Sequence, residues 1–344
     1  MPVNVGFIGL GGLGTVHCQR IAQYPNARVA ALCDVRPQRM TSDPSGTQIN
    51  IDVGQAQNID LASVPKYEDY RKLLKRKDVD AVVISTPTHL HAKIAIAALK
   101  AGKHVFCEKP MAINARQASA MIAAARASGK TLQIGHCLRF WPEYQAVREM
   151  VRTQQYGPVR SALFRRGGAF PGWAWENWYY REEMSGGGIL DLHIHDVDVV
   201  NWLFGLPAKI SSVGVYDEGK GVANVVTQFL YGDSRMIVAQ GGWTTGNLPF
   251  GMTFTVEFER ATVVFTWDAK PSLKVYTAAG TVETPALPAD ADAYREETRY
   301  FIDCIESGKP NELVPIEQTA QAVALVEAER KSIRTGKPVA IRIR

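Results

Sequence analysis

The first third of the chain alternates two hydrophobic periods. Residues 3–8 form a short apolar run that stops at glycines, and residues 13–23 then show helical spacing, with Leu13, Val16 and Ile21 on one face. Residues 28–33, 79–84 and 104–106 read as further strands. Between the last two, residues 90–100 predict an Ala-rich helix that ends at Gly102, where a left-handed glycine closes a helix. Met121 and Ile122 sit in another Ala-rich helix, and residues 131–134 are the next strand. Short apolar strands alternating with helices predict a parallel sheet with crossover helices. Residues 41–65 break this rhythm. They are polar, carry Pro and Gly, and predict a loop long enough to cover something functional or to be poorly ordered.

The texture changes after about Gly135. Residues 141–152 predict a helix and 160–165 a strand, followed by the aromatic loop GAFPGWAWENWYY. Residues 186–204 begin with three glycines and become helical. Five β-rich runs follow, at 210–216, 222–231, 235–243, 252–259 and 262–267. The short turns YGD and ERA between them predict antiparallel pairing. Residues 294–306 and 316–334 are the closing helices, the first ending at Gly308 with Pro310 beyond. The pattern divides the chain at 1–135 and 136–344, without internal repeats or low-complexity segments.

Composition narrows the class. A chain of 344 residues, 46% apolar and 21% charged, has room for two domains with ordinary cores and is neither disordered nor a small disulfide scaffold. The net charge of +5, from 39 basic and 34 acidic residues, does not suggest a nucleic-acid binder. The basic run RKLLKRK, flanked by acids, reads as a solvated helix end. No apolar run is long enough to span a membrane, and the N-terminus has no basic flank of the kind a signal peptide carries. The five cysteines form no CxxC pair and are odd in number, which suits reduced thiols. The expectation is a soluble cytoplasmic protein with neither a nucleic-acid nor a membrane partner.

The chemistry begins at Gly9-Leu10-Gly11-Gly12-Leu13-Gly14, a GxGxxG between a predicted strand and a predicted helix. In a dinucleotide site Gly9 makes the tight turn, Gly11 lets the backbone approach a pyrophosphate, and Gly14 lets the helix pack on the strand. The anion meets the free N–H groups of the helix that Gly12 and Leu13 open. Asp34 ends the second strand, where its carboxylate would accept hydrogen bonds from a ribose diol and repel a 2′-phosphate. Arg36 and Arg39 lie just downstream and leave NADP possible; NAD is the expected cofactor.

STPTHLHAKIAIAALKAGKHVFCEKP (85–110), the GxGxxG and the block GGGILDLHIHD (186–196) together resemble the Gfo/Idh/MocA oxidoreductases, the family of glucose–fructose oxidoreductase and inositol 2-dehydrogenase. The likeness covers essentially the whole chain. It implies an α/β protein: a Rossmann, doubly wound parallel sheet that binds NAD(P), followed by an α+β domain with an open, mostly antiparallel sheet for substrate and oligomerisation. It implies that Lys109 of Glu108-Lys109-Pro110 reaches the nicotinamide ribose and the reacting hydroxyl, where an ammonium steadies a developing alkoxide. Thr86, Pro87, His91, Glu108 and Lys109 would then line the cofactor site; Thr88 departs from a common family asparagine.

The resemblance also assigns Asp191 and His195 to the substrate. Four residues apart, they would share a helix face. His195 would take the hydroxyl proton, and Asp191 would hold a hydroxyl and favour the imidazolium. His193 departs from the family's small or apolar residue, and reads as a support of that site or a subunit contact. A metal site built from His193, His195 and Asp196 or Asp198 is the weaker reading of HIHD, because it needs a strand where the pattern predicts a helix. Arg139 in LRFWP, with Trp173 and Trp175 of the aromatic loop, could meet a hydroxylated ring, the tryptophans by stacking. The implied function is hydride transfer between a cyclic polyol or sugar and NAD(P) by a homodimer or homotetramer. The alternative is a non-catalytic sensor or regulator of the same fold.

Overall fold

The computed structural model describes residues 1–40 and 59–342; the loop expected at 41–65 lies largely outside them. The chain forms two compact units, Met1–Cys137 with Asp292–Ala320, and Leu138–Ala291 with Gln321–Arg344. The first break falls beside the division that the sequence pattern suggests at 135, but the segment 292–320 returns to the first unit.

In the first unit β1 (Val3–Ile8), α1 (Gly12–Ile21), β2 (Ala27–Cys33), β3 (Lys66–Tyr67), α2 (Tyr70–Leu74), β4 (Ala81–Ile84), α3 (His91–Lys100), β5 (His104–Glu108), α4 (Ala115–Ser128) and β6 (Leu132–Gly135) alternate. The strands make one parallel sheet in the order β3-β2-β1-β4-β5-β6. β4 is buried along its whole length, as a strand with helices on both faces must be. Phe7, Leu32, Val83 and Phe106 build the core together with Phe301 and Ile302 of the returning helix Ala293–Ser307. Phe106 and Phe301 meet edge to face at 5.8 Å.

The second unit contains α5 (Pro142–Thr153), β7 (Val159–Ala169), α6 (Glu182–Ser185), α7 (Gly187–Asp191), α8 (Ile194–Phe204), β8 (Lys209–Asp217), β9 (Gly221–Leu230), β10 (Met236–Thr244), β11 (Gly251–Phe258), β12 (Ala261–Thr266), β13 (Leu273–Thr277) and β14 (Val282–Glu283). The helix Ala293–Ser307 is α9, and α10 (Ile316–Thr335) and β15 (Val339–Ala340) complete the chain. Nine strands order as β14-β13-β12-β11-β7-β10-β9-β8-β15. All pairs are antiparallel except β7–β10. Between β7 and β10 the chain passes through the aromatic loop, three helices and the strands β8 and β9, so β10 reaches β7 from the far side of an antiparallel pair rather than by a direct turn. Burial alternates along β7, where Ala162, Phe164 and Arg166 are buried and Leu163 is 48% exposed. Val213, Val215, Val226 and Met236 are exposed on the same face as Leu163, so this face carries a row of apolar side chains that no described helix covers. Among the described residues, no helix is long and apolar enough to cross a membrane.

One sequence expectation needs correction. The run 186–204 is not a single helix but α7 and α8, divided at Leu192 and His193. The N–H groups of both Leu192 and His193 donate to the Gly188 carbonyl at 3.0 Å, which ends α7 and lets the chain restart at Ile194. Gly188 itself is pressed onto β9, since a Cβ there would stand 2.1 Å from the Ala223 oxygen.

Candidate active site

Each glycine of the first turn has its own physical cause. Gly9 has φ +91°, and a Cβ on it would lie 2.6 Å from the Ser85 carbonyl oxygen at the end of the neighbouring β4. A Cβ on Gly14 would lie 2.0 Å from the Gly9 oxygen, so α1 packs on β1 only with glycine there. Gly11 has nothing within 4 Å of its Cβ position. That opening is where a pyrophosphate can approach the backbone and the first N–H groups of α1. β1 and β4 are adjacent in the sheet although β2 and β3 intervene in sequence. The turn after β1, with Gly12 and Leu13 opening α1, therefore sits with Thr86 and Pro87 at the switch point of the sheet, the crevice where such folds bind ligands.

Asp34 is buried at the end of β2. Its Oδ2 accepts the Leu10 N–H at 2.7 Å and its Oδ1 accepts the Arg36 N–H at 2.9 Å. The carboxylate thus braces the glycine turn, and each oxygen retains a lone pair for a ribose hydroxyl. The Arg36 guanidinium stands 3.6 Å from Asp34. These residues fit a nicotinamide dinucleotide: an open glycine, a helix N-terminus and a carboxylate at the ribose position.

On the nicotinamide side, His91 is buried between two carbonyls, with Nδ1 2.7 Å from the Pro110 oxygen and Nε2 2.8 Å from the Thr86 oxygen. Burial pushes its pKa down. Its position is that of a brace between the loops after β4 and β5. Glu108 points inward, contrary to its expected place against the cofactor. Its Oε1 accepts from His17 Nε2 of α1 at 2.6 Å, and its Oε2 accepts the Lys109 N–H at 3.1 Å. Nothing in the spacing of the sequence links His17 to Glu108. Lys109 follows, half-buried.

In the second unit Asp191 ends α7 and His195 lies in the first turn of α8, both buried. The break between α7 and α8, at Leu192 and His193, falls between them. The other polar residues of the segment are each held by a different element. His193 lies with Nε2 3.1 Å from Glu329 Oε1 of α10, both fully buried. Asp196 accepts from Arg166 of β7 at 3.0 and 3.2 Å. Asp198 accepts from Arg139 at 2.9 and 2.7 Å. His193, Asp196 and Asp198 are therefore engaged in buried pairs, which argues against the metal reading of HIHD. Arg139 is fully buried with its guanidinium forked onto Asp198, so it has no surface with which to meet a substrate. The structure thus places Arg139, expected from the sequence as a substrate contact, in a buried pair with Asp198.

The aromatic loop divides. Trp173 and Trp175 are 44% and 37% exposed. Trp178 stacks on Tyr179 at 3.8 Å, and Tyr179 meets Trp243 of β10 edge to face at 5.4 Å. Glu176 and Asn177 have φ of +50° and +51°, a left-handed turn that non-glycine residues adopt only at a cost.

Comparison with known proteins agrees with both units. Residues 3–136 match the model of an oxidoreductase family with an NAD-binding Rossmann fold, and residues 144–282 match the GFO/IDH/MocA C-terminal domain. An uncharacterized oxidoreductase, YrbE, of Bacillus subtilis (strain 168) is 31% identical over 64% of this chain, which aligns with only 58% of that relative. The myo-inositol 2-dehydrogenase of Thermotoga maritima is 27% identical over 98% of both chains. A levoglucosan dehydrogenase in complex with NADH superposes with a TM-score of 0.84 at 19% identity, covering 99% of this chain and 100% of that one.

Proposed function

The chain belongs to the Gfo/Idh/MocA oxidoreductases, and from that premise we propose that it is an NAD-dependent dehydrogenase acting on a secondary alcohol of a sugar or cyclic polyol. The observation that carries the reading is a complete NAD-type turn, with open Gly11 and braced Asp34, in a chain that also retains Lys109, Asp191 and His195. NAD, when bound, supplies the hydride acceptor. Lys109 donates to the substrate oxygen and steadies the negative charge that builds there, and His195 takes the hydroxyl proton. Asp191 holds a neighbouring hydroxyl. Trp173 and Trp175 offer apolar faces to the ring.

Asp34 favours NAD over NADP, because its carboxylate repels a 2′-phosphate; Arg36, the cation beside it, is half-engaged by that same carboxylate. The exposed apolar sheet face supports a homodimer or homotetramer that buries it. A monomer mass by light scattering at micromolar concentration would rule that assembly out. The test of function is absorbance in the reduced-nicotinamide band with a panel of inositols and sugars, run with NAD and with NADP. Turnover on at least one polyol or sugar is expected. Tight NAD binding with no turnover across the panel would point instead to the sensor.

A further inference from the structure

Glu108 leaves β5 immediately before Lys109, and its carboxylate is divided between two partners. One oxygen is held by His17 at 2.6 Å; the other accepts the amide of Lys109 itself at 3.1 Å. Whatever fixes this carboxylate fixes where the chain turns at Lys109. A third group arrives from α9. Glu297 is fully buried, no donor among the described residues reaches either of its oxygens, and one of them lies within 4.8 Å of both the His17 and Glu108 atoms. Space for the cluster comes from β6, where a Cβ on Gly135 would stand 3.0 Å from Glu108 Oε1.

We propose that Glu297 is a positioning residue for Lys109, acting through Glu108: it is the buried acid that keeps the Glu108 carboxylate seated on His17 and on the Lys109 amide. The proposal deepens the dehydrogenase reading and rests on Lys109 being a reacting group.

Two carboxyl groups this close, both out of water, do not ionise together. His17 and the nearby Lys109 hold Glu108 in its charged form, against burial. Burial, then Glu108, then Asp292 push Glu297 well above the ordinary carboxyl range, so it is the neutral partner. The other titratable groups acting on these residues are Tyr294, whose buried phenol is itself pushed up, Cys137 beside it, and His91 acting on Glu108. Asp292 is paired with Arg20. The neutral carboxyl of Glu297 brings an O–H donor to the edge of the His17–Glu108 pair without adding a second charge. A divalent ion in the cluster is the other arrangement these side chains suggest. Ligands at ~2.1 Å from one ion stand roughly 3 Å or more apart. The 2.6 Å between His17 Nε2 and Glu108 Oε1 is instead the separation of a charge-assisted hydrogen bond.

The experiment compares Glu297→Gln, which keeps size, neutrality and a donor, with Glu297→Ala and with Glu297→Leu, which fills the site if the alanine variant fails to fold. Three measurements are made on the full-length protein, and its metal content is determined after purification. The infrared spectrum at neutral pH should show a protonated-carboxyl band that Glu297→Gln removes. Amide hydrogen exchange at Lys109 should accelerate at least ~10-fold in the alanine and leucine variants and stay within about 2-fold of wild type in the glutamine variant. The turnover number should fall in the first two and recover in the third, with KM for NAD unchanged in all. For Glu297→Gln, any alkaline fall of the rate that depends on ionising Glu297 should vanish. A missing band, equal exchange in every variant, or stoichiometric bound metal in the purified protein would overturn the proposal. If no polyol or sugar is turned over, the dehydrogenase reading falls alone, since the infrared and exchange measurements still decide the role of Glu297.

Discussion

Replacing Arg139 by alanine should damage the fold of the second unit rather than the recognition of a substrate. The guanidinium donates to both oxygens of Asp198 at 2.7 and 2.9 Å, the two side chains are 0% and 1% exposed, and the cation also lies 5.6 Å from the Trp202 ring centre. Removing the arginine leaves Asp198 as an uncompensated buried charge. Breaking a pair of this kind costs about 3–5 kcal/mol, a large part of the ~5–15 kcal/mol that holds a typical domain together. The double variant Arg139→Met with Asp198→Leu removes the charge as well as its partner and should recover most of that loss, because a buried ion pair is worth little beyond an apolar pair of similar volume. The assay is urea unfolding followed by tryptophan fluorescence. All seven tryptophans lie between Trp141 and Trp267, so the signal reports the second unit alone. A single variant within about 1 kcal/mol of wild type, together with a raised KM for the polyol or sugar, would refute this account and restore Arg139 as a substrate contact.

Gly11→Ala should leave the stability of the NAD-free protein unchanged and weaken NAD binding measured by fluorescence titration, whereas Gly14→Ala should lower the melting temperature, because its Cβ would stand 2.0 Å from the Gly9 oxygen. Asp34→Ser should weaken NAD and relax discrimination against NADP; equal losses for both cofactors would make Asp34 purely a brace of the turn. Lys109→Ala should lower turnover at least ~10²-fold, about 2.7 kcal/mol of transition-state stabilisation, while His195→Ala should also remove the acid limb of the pH–rate profile if His195 is the base. His104 has its pKa pushed down from 6.5 to about 4 by burial and Lys130, and its Nδ1 accepts the Thr131 N–H at 3.1 Å, so the folded protein needs the neutral ring. Its folded pKa being the lower one, stability should fall as pH drops from ~6.5 toward 4, and His104→Asn should flatten that slope in urea titrations at several pH values.

The alternating strands and helices of the first unit were legible because strands of a parallel sheet are continuous apolar runs, and glycine turns end them at fixed points. The two-residue strands β3, β14 and β15 offered no such run; they pair only because a neighbouring strand presents an open edge. The break at Leu192 was hidden for another reason. Leu192 and His193 keep right-handed helical angles, so local composition reads straight through the division. The same distance hides the supports of the candidate site. His17 and Glu108 are 91 residues apart, and His193 and Glu329 are 136 apart. An apolar face on α9 could be read from Phe301 and Ile302; that it covers the first sheet could not.

These supports share a logic that sequence motifs do not show. In the first unit Lys109 follows a strand whose last residue is tied to α1 by a buried hydrogen bond. In the second unit His195 stands between His193, bound to α10, and Asp196, bound to β7. Both proposed reacting residues thus sit at element ends, where the backbone is free to turn a side chain out, and both are flanked by buried pairs that deny the backbone that freedom in any other direction. Preorganisation of this kind acts on the geometry of reaction more than on encounter with ligand. Weakening a flanking pair while keeping the fold, as Glu329→Gln should, is therefore expected to lower the turnover number more than it raises KM. A flanking pair that served only stability would lower the melting temperature and leave the turnover of the folded fraction unchanged.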